Sequence, residues 1–166
     1  TCIRQIAMPL SLWNRLTLAM ATGLGLGFSP MVPGTVGALW GIPLAWGLGH
    51  LHLGIQVATI ILLFAIGVPI CTSAARSMGK KDPGAVVWDE IVTVPIVFLG
   101  VPMTSVGIVA VGFALHRLFD IVKPPPARQL ERLPDGLGIM ADDVAAGLYG
   151  CGSLHLLMWI GIGSFL

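Results

Sequence analysis

The sequence predicts an all-α fold: a polytopic membrane helical bundle of about five membrane-embedded helices behind an N-terminal amphipathic helix. Three observations predict it. Hydrophobic residues make up 55% of the 166, and mean hydropathy is +0.90. That is more apolar surface than a soluble domain of this length can hide. Charged residues make up only 10%, against about 25% in soluble domains. Those charges, nine basic and eight acidic, are confined to residues 4–15, 76–90 and 117–143. The neutral runs between and after them are 60, 26 and 23 residues long (16–75, 91–116 and 144–166), and one crossing takes about 20. The near balance of charge excludes a nucleic-acid binder, and the apolar content excludes a disordered chain. The length fits one domain, 1–166.

Residues 1–15 lack the basic start, apolar middle and small-residue cleavage site of a secretory signal, so none is expected. Residues 11–22 place Leu12, Leu16 and Met20 on one helical stripe beside Trp13 and Arg15, which predicts a helix on the membrane surface. Gly23, Gly25 and Gly27 interrupt it, with neither the strand nor the spacing of a dinucleotide fingerprint. A first span is predicted over about 33–50, opened by Pro33, and a second over about 55–75, kinked at Pro69. Asp82-Pro83 reads as a cap and first-turn proline of the next helix. The run 91–116 fits either a single span, which would put 76–90 and 117–143 on opposite sides, or, as favoured here, a hairpin turning at Gly100, Pro102, Thr104 and Ser105, whose second arm stops at Pro124-Pro125-Pro126. Asp142 and Asp143 read as the opening of the last helix. This arrangement puts every charge at one face, which the positive-inside rule makes cytoplasmic. Trp13, Trp40, Trp46, Trp88 and Trp159 fit an aromatic belt.

Five of the eight acids, Asp89, Glu90, Asp120, Asp142 and Asp143, fall at the mouths of three apolar helices, with Arg117 and Lys123 beside them. Each group has a plain reading. Arg117, Asp120 and Lys123 at i, i+3, i+6 make a salt-bridge ladder; Asp142-Asp143 cap a helix; Asp89-Glu90 are solvated. Taken together they suit another chemistry. Charge near membrane depth costs roughly 2.5–3.5 kcal/mol per group on insertion scales, so such groups pair, line water or bind ions. Clustered hard oxygens suit Mg²⁺, and Arg117 and Lys123 suit phosphate. Ser29, Gly34 and Thr35 at a helix start offer an anion cradle or simply a Gly/Pro turn, and Gly37 and Gly41 a packing face. His50, His52 and His155 read as packing residues, His116 as a packing residue or, beside Arg117, one that touches the site, and the three cysteines as small hydrophobes. A divalent-cation transporter or channel is the alternative, although no acid lies in the opposite turns and no repeat is evident.

Four motifs in order carry a resemblance. They are Pro33-Gly34-Thr35-Val36-Gly37; Asp82-Pro83 leading to Val87-Trp88-Asp89-Glu90; Arg117-Leu118-Phe119-Asp120-Ile121-Val122-Lys123-Pro124; and Gly138-Ile139-Met140-Ala141-Asp142-Asp143-Val144-Ala145-Ala146-Gly147. Over about 29–150 the chain resembles the phosphatidylglycerophosphatase A family. It departs from that pattern at Ala38, Thr93 and His116, where a small hydroxyl residue, a Gly and a Phe are usual, and at no carboxylate. The resemblance implies a Mg²⁺-dependent phosphatase of the bacterial inner membrane, acting on phosphatidylglycerophosphate at the cytoplasmic face. On that expectation Asp89, Glu90, Asp120, Asp142 and Asp143 hold metal. Arg117, Lys123, Thr35 and Gly34 hold the phosphate, and water or Asp120 is the nucleophile.

Overall fold

Apolar segments between Gly/Pro punctuation become helices throughout the computed structural model, which describes residues 12–30 and 32–161. Among these residues the order is α1 (Leu12–Ala21), a 3-10 turn (Leu26–Phe28), α2 (Pro33–Gly49), α3 (Leu53–Met78), α4 (Trp88–Val97), α5 (Val106–Val122), α6 (Ala127–Leu130) and α7 (Asp135–Trp159), with no strand. Residues 1–11, where the surface helix is expected to begin, lie outside the described residues, as does Cys2.

The short helix α4 is the axis of the bundle. Asp89, Glu90 and every residue from Val92 to Val97 are buried, and α2, α3, α5 and α7 pack around it. Close approach of α2 explains the small residues on its inner face. A Cβ at Gly41 would meet Val94 Cβ at 2.6 Å. At the far end Phe98, Val101, Ile108 and Leu154 pack with Val94 and Val97. At the charged end Ile70, Cys71, Val92, Ile139 and Met140 close the core with Ala21 of α1. Helix α1 lies along α3, with Thr17 and Ala21 inward and Trp13 and Leu16 exposed.

The hairpin forms as expected, with Gly100 at φ +73° in the turn between α4 and α5. Chain ends therefore alternate. Residues 23–30 and 32–34, residues 76–90 and residues 117–143 meet at one pole, and the turns at 49–53 and 98–105 at the other. Ion pairs from Arg76 to Asp135 and from Lys123 to Glu131 hold the first pole together.

Helix lengths differ from the sequence expectation. α4 has 10 residues and rises about 15 Å, half the hydrocarbon thickness. Asp82-Pro83 does not cap it: Val87 holds the N-cap position, and 82–87 forms a turn. Nor do Asp142 and Asp143 open α7, which begins at Asp135 and carries them two turns in. Only α3, with 26 residues, is long and apolar enough to cross a membrane on length and composition among the described residues. Exposed Trp40 and Trp46 on α2, Ile61 and Leu62 on α3, and Leu148 and Leu156 on α7 leave a broad apolar exterior.

Candidate functional site

Five segments converge at the charged pole around one cavity of about 360 Å³. The N-terminal end of α2 brings Gly34 and Thr35, and the 82–86 turn brings Asp82. The first turn of α4 brings Asp89 and Glu90, and the last turn of α5 brings Arg117 and Asp120. Lys123 comes from just beyond α5, and Asp142 and Asp143 from α7. Nine of the residues that the sequence nominates thus line one space, spread over 110 positions (34 to 143 inclusive), whereas Ser29, offered with the anion cradle, is not in its lining. Asp82 is the residue sequence reasoning misplaced. It reads as a helix cap, yet it stands at the cavity wall as a sixth carboxylate.

The electrostatics are arranged in two layers. Arg117 Nη1 donates to Glu90 Oε1 at 2.7 Å and pairs with Asp120 Oδ2 at 2.8 Å, so it ties α4 to α5. Lys123 Nζ donates to Asp142 Oδ2 at 2.7 Å and reaches Glu131 at 3.3 Å, which ties α5 to α7. The expected ladder along α5 therefore stops at Asp120. Lys123 has a left-handed backbone (φ 47°) that swings it off the helix face toward α7. Burial works against the Lys123 charge, but the hydrogen bond and charge of Asp142, with Glu131, raise its pKa above the ordinary lysine value.

Below those cations lie buried oxygens without partners among the described residues: Asp89 Oδ1, Glu90 Oε2, Asp142 Oδ1 and Asp143 Oδ2. Leaving a buried carboxylate oxygen unpaired is costly, and six acids here face two cations. Orphaned hard oxygens aimed into one cavity are the donor set a small divalent cation prefers. In this arrangement no three acidic, His or Cys side chains among the described residues close into a finished ligand cage. Glu90, Asp120 and Asp142 each give one oxygen to Arg117 or Lys123 instead.

Backbone proximity shapes the cavity wall. A Cβ at Gly37 would lie 2.6 Å from Glu90 Oε2, and one at Gly34 would lie 3.3 Å from Arg117 Nη2 and overlap Glu90 Oε1. Glycine is what lets the start of α2 reach the pair. His116, next to Arg117, is fully buried and turned away from the cavity. His52 caps α3 by accepting from the Gly54 N–H, and His50 packs edge-on against Trp46, so both are structural.

The family model described as phosphatidylglycerophosphatase A matches residues 19–158. A protein named phosphatidylglycerophosphatase A from Escherichia coli K12 is 37% identical over 139 residues, 83% of this chain and 81% of that one. Its namesake from Haemophilus influenzae is 42% identical over 143 residues, 84% and 86% of the two chains. A Bacteroides thetaiotaomicron protein, 38% identical over 87% of this chain and 95% of its own, is described provisionally as a phosphatidylinositol-3-phosphatase. No solved structure matches.

Proposed function

This chain belongs to the phosphatidylglycerophosphatase A family, and from that premise we propose that it hydrolyses the phosphate monoester of phosphatidylglycerophosphate. Water adds to phosphorus, the ester P–O bond breaks, and phosphatidylglycerol and inorganic phosphate leave. The observation that carries the reading is the convergence of buried, partnerless oxygens from Asp89, Glu90, Asp142 and Asp143 with Arg117 and Lys123 in one cavity.

Asp89, Glu90, Asp120, Asp142 and Asp143 would hold Mg²⁺. When bound, the ion supplies charge neutralisation for the phosphoryl oxygens and lowers the pKa of water. The chain's own residues position the ester. Arg117 commits Nη1 to Glu90 and Asp120 and leaves Nη2, beside Gly34, for a phosphoryl oxygen. Its planar fork suits that task better than an ammonium would. Lys123 adds a second positive charge across the cavity, and Thr35 with the first N–H groups of α2 completes the anion side. Buried walls of Val86 and Ile139 exclude bulk water from the carboxylates.

The membrane setting follows the same logic. The site lies at the charged pole, and the apolar exterior of α2, α3, α5 and α7 faces lipid. Acyl chains stay in the bilayer while the headgroup enters from the cytoplasmic face of the bacterial inner membrane. α3 passes through, α2, α5 and α7 are embedded beside it, and α4 descends partway inside the bundle. The one-sided placement of charge speaks against a transport route, which needs access from both faces.

The test is phosphate release by the purified protein in mixed micelles, with phosphatidylglycerophosphate or phosphatidylinositol 3-phosphate as substrate. Mg²⁺-dependent release from the first, abolished by chelator and restored by Mg²⁺, is expected. No release from it under either condition refutes the reading, and faster release from the inositol lipid reassigns the substrate.

A further inference from the structure

One helical turn below the carboxylates lies a second polar contact that the site does not use. Thr93 and His116 are both fully buried, and Thr93 Oγ1 lies 3.2 Å from His116 Nε2. Thr93 follows Asp89 by four residues on α4, and His116 precedes Asp120 by four on α5. Gly147 follows Asp143 by four on α7, and a Cβ there would lie 3.0 Å from the Thr93 carbonyl oxygen. These residues form a layer that repeats the three-helix meeting of the acids, one turn further in.

Hydrogen-bond accounting orients the contact. The Thr93 hydroxyl donates its one proton to the Asp89 carbonyl oxygen at 2.8 Å. Toward His116 it can therefore only accept, so Nε2 carries the ring proton. Nδ1 is then the bare nitrogen, and it is buried without a partner among the described residues. The bond crosses from α4 to α5 on the same two helices that Arg117 joins to Glu90, and it anchors Asp89 through its own backbone.

We propose that Thr93 and His116 are positioning residues. Their hydrogen bond sets the separation and register of α4 and α5, and so places Asp89 and Glu90 against Arg117 and Asp120. The effect on turnover rests on the phosphatase reading; the bond and its tautomer do not.

Thr93→Val removes both the acceptor and the donor while keeping shape. It should lower kcat by about 10–100-fold, the usual cost of losing a supporting contact behind a ligand, with KM little changed because lipid contacts are untouched. Thr93→Ser and His116→Gln, which keep the acceptor and an Nε2-like donor, should restore kcat. Thr93→Val combined with His116→Phe should lose no more than the worse single variant, as coupled partners do. Nitrogen NMR of histidine-labelled protein should show His116 as the Nε2–H tautomer, a readout independent of activity. The proposal is overturned by an Nδ1–H tautomer, by a folded Thr93→Val enzyme with wild-type kcat, by Thr93→Ser as damaged as Thr93→Val, or by additive losses in the double variant. Wild-type inactivity would instead reject the phosphatase reading, with the tautomer still deciding the bond.

Discussion

Gly37→Ala adds one carbon where α2 meets the site, and its consequence can be worked from distances. The new Cβ would lie 2.5 Å from Val87 Cβ and 2.6 Å from Glu90 Oε2, whereas ordinary contact begins at 3.4 Å. Neither neighbour can yield freely. Val87 is fully buried at the N-cap of α4, and Glu90 is held by Arg117 at 2.7 Å. Relief therefore takes a separation of α2 from α4 by about 0.8–0.9 Å, and overpacking of this kind costs about 1–3 kcal/mol. Misplacing catalytic groups by about 1 Å can cost on the order of 100-fold in rate. Gly47, in the same helix, has nothing within 4 Å of its would-be Cβ. Gly47→Ala should therefore stabilise slightly, by up to about 1 kcal/mol of helix propensity. The assay is thermal unfolding in detergent paired with phosphate release. Gly37→Ala should unfold earlier and lose most of its turnover, while Gly47→Ala keeps both. Equal behaviour of the two variants would refute the close-approach argument.

Arg117→Lys keeps charge but loses the fork that spans Glu90, Asp120 and the ester, so kcat/KM should drop by at least about tenfold. Near-normal turnover would reduce Arg117 to a salt-bridge partner. Breaking the Arg76–Asp135 pair, whose side chains are 69% and 48% exposed, should shift stability by less than about 1 kcal/mol. A large loss in Asp135→Asn would show that the start of α7 depends on it. Topology is checked by single cysteines. Those at His52 and Thr104 should react with an impermeant thiol reagent outside cells, and those at Lys80 and Glu131 should not. Labelling at Glu131 with protection at Thr104 would invert the scheme.

Much of the site was legible because charge is scarce. In a chain with eight acids, five at the mouths of apolar helices stand out, and Asp89, Asp120 and Asp143 do share a cavity. Helix boundaries were less legible where proline and acid signals mislead. Asp82-Pro83 has the form of a cap, but the chain continues as a turn. This lets Val87 donate its N–H to the Ala21 carbonyl at 2.8 Å and carries Asp82 to the cavity wall. Asp142-Asp143 has the form of an N-terminus, yet Gly136 and Gly138 already lie inside α7. Gly136 must be small there, because a Cβ would strike the Val68 carbonyl and lie 2.7 Å from the Thr72 nitrogen. The left-handed turn of Lys123 also escaped the sequence, since helical spacing assumes the helix continues. The Thr93–His116 bond escaped for another reason: neither residue is unusual alone, and only packing brings two mid-helix positions together.

The central claim is that acids from three helices make one site. Asp89→Asn on α4, Asp120→Asn on α5 and Asp143→Asn on α7 test it in a single assay, Mg²⁺-dependent phosphate release from phosphatidylglycerophosphate. All three substitutions are nearly isosteric; Asp89→Asn and Asp143→Asn remove a repelling charge and should fold at least as well as the wild type without metal, whereas Asp120→Asn also gives up its ion pair with Arg117, so thermal unfolding accompanies its assay. All three should lose most of their turnover, and raising Mg²⁺ should not restore it. Any one of them releasing phosphate at the wild-type rate and Mg²⁺ requirement would contradict the three-helix site.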